Sequence, residues 1–287
     1  MQPSGTGTKR FALAMLATAT LALQSTPSQL QGRELGDDRG SESAVAAEEA
    51  AQGRILDLPL HGGVRQRVWY LSPAKPVAAI VMLPGGAGDV GLKSDGDIRN
   101  GDNFVVRTRG VWVRHGYAVV IPDTIEHSNL RGDRSSSEYA AIMVQLADFA
   151  RSQASVPVFL LGTSQGSIAA MNGAAHAPPG LISGVILTES VSRIGGSGES
   201  VFSAAPEQVR VPVLVVANKD DRCDVASPED APRIAAAMKN SPDVHIEYVD
   251  GGIAKSPSAC GSLTPHGYYG IETQVIDMIV QWIEGHR

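Results

Sequence analysis

From residue 54 onward, short apolar runs alternate with stretches whose apolar positions recur at helical spacing. Residues 77–83, 117–122, 156–161, 182–187, 211–217 and 244–249 have strand length and apolar character. Between them, residues 104–114, 138–153, 167–175, 228–239 and 271–284 read as helices. In 138–153 the apolar side chains of Ile142, Met143, Leu146, Ala147 and Ala150 fall on one helical face. Two runs at 55–58 and 67–71 bracket Gly62-Gly63 and read as an antiparallel pair. Strand-helix alternation of this kind predicts a mainly parallel, doubly wound α/β sheet covered on both faces. Ligands in such folds meet the C-terminal ends of the strands.

The first 53 residues break the pattern. Lys9 and Arg10 precede an apolar stretch at 11–23, shorter than the roughly 20 residues a membrane-spanning helix needs but suited to the apolar region of an export signal. Residues 1–25 therefore read as a signal peptide. Residues 26–53, rich in Gln, Ser, Gly, Glu, Asp and Ala, cannot bury enough apolar surface to order themselves and read as a disordered linker. The domain proper is expected at 54–287, with no integral membrane segment once the signal is removed.

Composition supports that division. A chain of 287 residues with 43% hydrophobic content can bury one large α/β core. The net charge of -6, without a basic run, lacks the electrostatic footprint of a nucleic-acid binder. Seven scattered histidines and two cysteines do not form a metal-ligand spacing, so neither metal nor cofactor is expected.

The candidate chemistry lies at the end of the run Val158-Phe159-Leu160-Leu161. There the chain reads Gly162-Thr163-Ser164-Gln165-Gly166 and passes directly into a helix-like segment. G-x-S-x-G between a buried strand and a helix is a nucleophile elbow, in which glycines give a sharp turn room to close and the serine hydroxyl is presented above the sheet. Ser164 is the candidate nucleophile. The pentapeptide is short enough to arise by chance, so its strand-turn-helix setting carries the reading.

With these elements in place, residues 55–286 resemble the α/β-hydrolase superfamily. The resemblance rests on a glycine-rich loop after the first parallel strand, the elbow serine, an acid after a later strand, and a histidine before the final helix. It implies a Ser-His-Asp triad. Of the histidines downstream of Ser164, His245 sits within a strand and His286 is penultimate, which leaves His266 in Pro265-His266-Gly267 as the base. Asn218-Lys219-Asp220-Asp221 ends a strand with two aspartates. Family loops favour Asp221, with Asp220 as the alternative and Glu189, at the end of the preceding strand, as the outsider. The implied oxyanion hole pairs the amide of Gln165 with one from Pro84-Gly85-Gly86-Ala87-Gly88, with Gly86 favoured and Ala87 hard to separate from it. The family's lid usually enters after the strand that follows the elbow helix. The 187–211 connection is too short for one, so an open site without a sizeable lid domain is expected.

Gly86-Ala87-Gly88-Asp89-Val90-Gly91 also fits a dinucleotide-binding loop. The polar, glycine-broken stretch that follows, lacking a suitably spaced acid, argues against that use. Cys223 and Cys260 lie close in sequence to Asp221 and His266, and in an exported protein a disulfide between them would tie the acid loop to the base loop. Glu126, His127, Arg131 and Arg134 can line a groove or be a solvated loop, and Phe202, Tyr268 and Tyr269 lie near the site loops. The expected function is a secreted serine hydrolase acting on small-molecule or polymeric esters. An acyltransferase, amidase or peptidase would use the same residues, and a non-catalytic binding protein of this fold is the rival from another class.

Overall fold

The structure, a computed structural model, describes residues 53–287. The expected signal at 1–25 and the expected linker, up to its last residue, lie outside the described residues. Eight strands are present: β1 (Arg54–Pro59), β2 (Arg65–Leu71), β3 (Ala78–Leu83), β4 (Tyr117–Pro122), β5 (Val158–Thr163), β6 (Gly184–Thr188), β7 (Val213–Asn218) and β8 (Val244–Val249). They form one sheet in the order β1-β2-β4-β3-β5-β6-β7-β8. β2 is antiparallel to both its neighbours, and every pairing from β4 through β8 is parallel.

The central strands are buried on both faces because their side chains alternate between two cores. In β3, Ala79, Val81 and Leu83 point into one core, and Ala78, Ile80 and Met82 into the other. Helices α3 (Ser137–Ala154), α4 (Gln165–His176) and α5 (Ala231–Ala237) supply residues to the first core. Helices α1 (Phe104–Arg107), α2 (Arg109–Arg114) and α6 (Glu272–Glu284) supply the second. Each fully buried Val, Leu or Ile contributes about 1.5–3 kcal/mol relative to exposure, so both layers favour the sheet strongly.

Two helices depart from the expected spans. The stretch 104–114 is divided at Thr108, whose hydroxyl and N–H both donate to the Phe104 carbonyl and close a single turn before α2 restarts. The stretch 228–239 opens as a 3-10 turn at Pro228–Asp230 and is helical only over Ala231–Ala237. Between β6 and β7 the described chain holds two 3-10 turns, Val201–Ser203 and Pro206–Gln208, and no longer helix, so no lid covers the C-terminal strand ends there. No helix among the described residues is long and apolar enough to cross a membrane.

Candidate active site

Ser164 lies between the end of β5 and the start of α4, with φ 53° and ψ -123°. Such backbone geometry is sparsely populated and persists only where its surroundings impose it. Here the Ser164 N–H donates to the Thr188 carbonyl at 2.9 Å, and the Ser164 carbonyl accepts from the Ser167 N–H and hydroxyl. The flanking glycines are required by close approach. A Cβ on Gly162 would lie 2.2 Å from the Gly166 carbonyl oxygen, and one on Gly166 would lie 2.1 Å from that of Leu83. The turn closes because neither carries a side chain.

His266 stands opposite. Its Nε2 lies 2.9 Å from Ser164 Oγ, and its Nδ1 lies 2.7 Å from Asp221 Oδ2. A carboxylate can only accept, so Nδ1 carries the proton and Nε2 is left to accept from the serine hydroxyl. The side chains of His266 and Asp221 are 3% and 0% exposed, which removes water as a competitor for the bond between them. The second oxygen of Asp221 accepts from the Cys223 N–H. Asp220 turns elsewhere, and its Oδ2 accepts from the Gly251 N–H at 2.7 Å.

The histidine loop is clamped from several directions. Arg107, on α1, donates to the carbonyls of Asp102, Ser262 and Gly267 and pairs with Glu272 at the start of α6. Asn218 donates to the carbonyls of Gly251 and Pro265. The Cys223–Cys260 disulfide joins the acid loop to the same segment. Arg107 and Asn218 escaped the reading of the sequence, where nothing local distinguishes them from ordinary helix and strand-end residues.

Next to Ser164, the turn Gly85–Gly88 follows β3, closed by the Gly88 N–H donating to the Gly85 carbonyl. Gly86 takes φ 61°, and both Gly86 and Ala87 border a cavity of about 440 Å³ that reaches Ser164 and His266. Arg99–Phe104 form another part of its wall. Buried Asp123 accepts from the N–H groups of Val90, Gly91, Leu92 and Thr124, and Val90 and Gly91 in turn accept from the N–H groups of Asn100 and Arg99 at the start of that wall. Gln165 begins α4 directly after Ser164, where the helix N-terminus favours developing negative charge. A second cleft of about 330 Å³ meets Ser164 from the side of Gly195–Ser197 and includes Arg131.

No protein-family model and no curated protein matches this chain. Solved structures do match it. An esterase of Pyrococcus furiosus superimposes with a TM-score of 0.60 at 12% identity, over 83% of this chain and 93% of that one. A carboxyl esterase of Bacillus coagulans gives 0.57 at 14% identity, over 81% and 98%. A dienelactone hydrolase of Anabaena variabilis gives 0.55 at 15% identity, over 82% and 99%. The chain has the α/β-hydrolase fold.

Within that fold, Glu189 occupies the strand-end position one strand before Asp221. It is 1% exposed with φ 43°, and its Oε1 accepts from the Asn218 N–H at 2.8 Å. Burial, reinforced by the neighbouring Asp221, pushes its carboxyl well above the usual carboxylate range. It does not reach the histidine in place of Asp221. The residues of the loop after Asp123 have different surroundings. Glu126 and His127 line a separate depression with Arg65 and Arg67, Arg131 faces the second cleft, and Arg134 is buried with one guanidinium nitrogen 3.4 Å from the Pro84 carbonyl. Of the three aromatics near the site loops, Tyr268 is buried against Phe104, Phe202 lies under Arg233, and Tyr269 lies beside Arg107 and Lys255. None of them borders the main cavity, whose one aromatic is Phe104.

Asp89, Asp123 and His127 place ligand-type atoms within 4.8 Å of one another. Both Asp123 oxygens are occupied by backbone donors, and Asp89 is paired with Arg99 and His127. The cluster is thus a tie between loops rather than an open cation site.

Proposed function

We propose that this chain is a serine hydrolase that cleaves carboxylic esters through an acyl-enzyme, with Ser164 as nucleophile, His266 as general base and acid, and Asp221 orienting the imidazole. The observation that carries this reading is the continuous run of short contacts from Asp221 through His266 to Ser164, ending at the mouth of the cavity. The esterases and the dienelactone hydrolase among the structural neighbours support it.

In the first half-reaction Ser164 Oγ attacks the ester carbonyl carbon while His266 Nε2 takes the hydroxyl proton. Asp221 accepts from Nδ1 throughout and stabilises the imidazolium without becoming protonated. The tetrahedral oxyanion accepts from the Gln165 N–H and from the N–H of Gly86 or Ala87. Collapse expels the alcohol, which receives the proton from Nε2, and a water then repeats the sequence against the acyl-serine. The open approach to Ser164 suits small esters or an exposed ester of a polymer. The amino-terminal signal and linker, together with a disulfide at the site, support export to the periplasm or beyond the cell.

A fluorophosphonate probe tests the nucleophile. The expected result is labelling of the full chain that is lost in Ser164→Ala, with kcat for ester hydrolysis falling by about 10⁶ as in other triads. Labelling that survives the substitution overturns the proposal.

A further inference from the structure

We propose that Glu189 is a positioning residue: its Oε2 carries a proton and donates it to the Asp221 carboxylate, so the two acids present a single negative charge to His266. The inference rests on the triad reading above and deepens it. Glu189, Asp221 and His266 place side-chain N and O atoms within 4.8 Å of one another, all three buried. The two oxygens of Glu189 have unlike surroundings. Oε1 accepts from the Asn218 N–H, whereas Oε2 is fully buried and meets no donor. The titratable groups that face it are Asp221 and His266, already bonded to one another, and Tyr268. The hydroxyl of Tyr268 donates to the Val216 carbonyl at 3.2 Å and also approaches the Glu189 carboxyl, where its pull toward the ionised form is smaller than the opposing effects of burial and of Asp221.

An ionised glutamate offers two acceptors, and one of them here would be buried, unsatisfied and next to a second anion. One acceptor and one donor is the pattern of a carboxylic acid. Two adjacent carboxylates in a dry site do not both ionise, and burial with the Asp221 charge beside it holds Glu189 well above its ordinary range. The backbone makes the arrangement specific. The Thr188 carbonyl accepts from the Ser164 N–H, and the Glu189 N–H donates to the Val216 carbonyl, so the residue is strapped to the elbow and to the acid strand at once. Proton donation to Asp221 moderates that carboxylate's basicity and fixes its plane, which sets how strongly the imidazolium is held.

Glu189→Gln tests this, because its amide accepts at one atom and donates at the other. Ester hydrolysis and fluorophosphonate labelling are followed against pH in wild type, Glu189→Gln and Glu189→Leu. For Gln, the kcat/KM plateau should stay within about threefold of wild type and the histidine limb should not move. For Leu, Asp221 loses its donor, His266 becomes easier to protonate, the limb moves up by about half to one pH unit and the plateau falls about tenfold. A native Glu189 that is ionised gives the opposite sign. Gln then removes a negative charge and the limb moves down by about one unit, which overturns the proposal. An infrared spectrum at neutral pH is independent of whether the Leu variant folds. It should contain a protonated-carboxyl stretch that disappears in Glu189→Gln, and its persistence in that variant, or absence from wild type, also overturns the assignment. Should wild type fail to label at Ser164, the triad reading falls and this inference with it. Labelling with no rescue by Gln strikes the inference alone.

Discussion

The two sides of Ser164 are built on different principles. On the acid-base side, His266, Asp221 and Glu189 are buried, and the loop that carries the histidine is held by Arg107, by Asn218 and by a disulfide. On the side proposed to hold the oxyanion, a glycine-rich turn and the polar wall Arg99–Asn103 surround an open cavity, with exposed Arg131 at the neighbouring cleft. In the proposed mechanism the first side handles a proton, which tolerates displacement poorly and needs water kept out. The second must admit molecules of varied shape and supply only a few fixed N–H groups. Over-determined geometry on one side and room on the other is the division of labour expected if transition-state alignment and substrate choice are set separately.

The strongest way to break this comparison is at the acid. Asp221→Asn leaves His266 with a partner able to donate, which favours the wrong tautomer, and kcat should fall by about 10⁴. Asp220→Asn touches only the Gly251 N–H and should cost less than about tenfold. Steady-state kinetics on a soluble ester distinguish them, and comparable losses at the two positions would mean that the buried side is not organised around Asp221.

The disulfide offers a milder perturbation of the same side. Cys223 and Cys260 are 37 residues apart, and closing a loop of that length stabilises by about 4 kcal/mol in the chain-entropy model. The sheet does not run through this link, whereas both loops it joins carry triad candidates. Reduction should lower kcat by up to about 10², the effect of a misplacement near 1 Å, while the far-ultraviolet circular dichroism is retained. Loss of the dichroism in step with activity would show that the bond supports the fold rather than the geometry. Alkylation and intact mass on the untreated protein should find no free thiol.

The same division explains what the sequence made legible. β3, β4, β5 and β7 are apolar at nearly every buried position, with polar Thr163 and Asn218 only at the last residues of β5 and β7, so their runs announce strands wherever the boundaries fall. The elbow is equally local, since Gly162, Ser164 and Gly166 act within one turn. The wall at 92–103 was not legible beyond its being polar and non-helical, because the segment it folds back on is held by Asp123, distant in sequence, which collects the N–H groups of Val90, Gly91 and Leu92. Nor could the sequence assign Glu189 more than an outsider's place. Its proton depends on burial and on Asp221, and neither has a signature in the residues around it. The break of one expected helix at Thr108 likewise follows from a side-chain bond that competes with the helix, not from any Gly or Pro.

The open side gives the smallest expected effect. Between β6 and β7 the described chain has only 3-10 turns with which to build over the cleft, and the main cavity, at about 440 Å³, has Arg99, Asp102 and Asn103 along its wall. A long acyl chain gains most when a continuous apolar tunnel removes it from water, at roughly 0.8 kcal/mol per buried methylene. Here the additional methylenes would remain against polar wall or in solvent, so they contribute little to transition-state binding and add ordering entropy. Short-chain esters should therefore be hydrolysed faster than long-chain ones, by about tenfold in kcat/KM, and without a jump in rate when substrate forms an interface. A p-nitrophenyl ester series of increasing acyl length measures this directly. A rate that climbs steadily through the long chains would mean that the oxyanion side contains an apolar channel and is as specifically shaped as the acid-base side, and the contrast between the two sides would be lost.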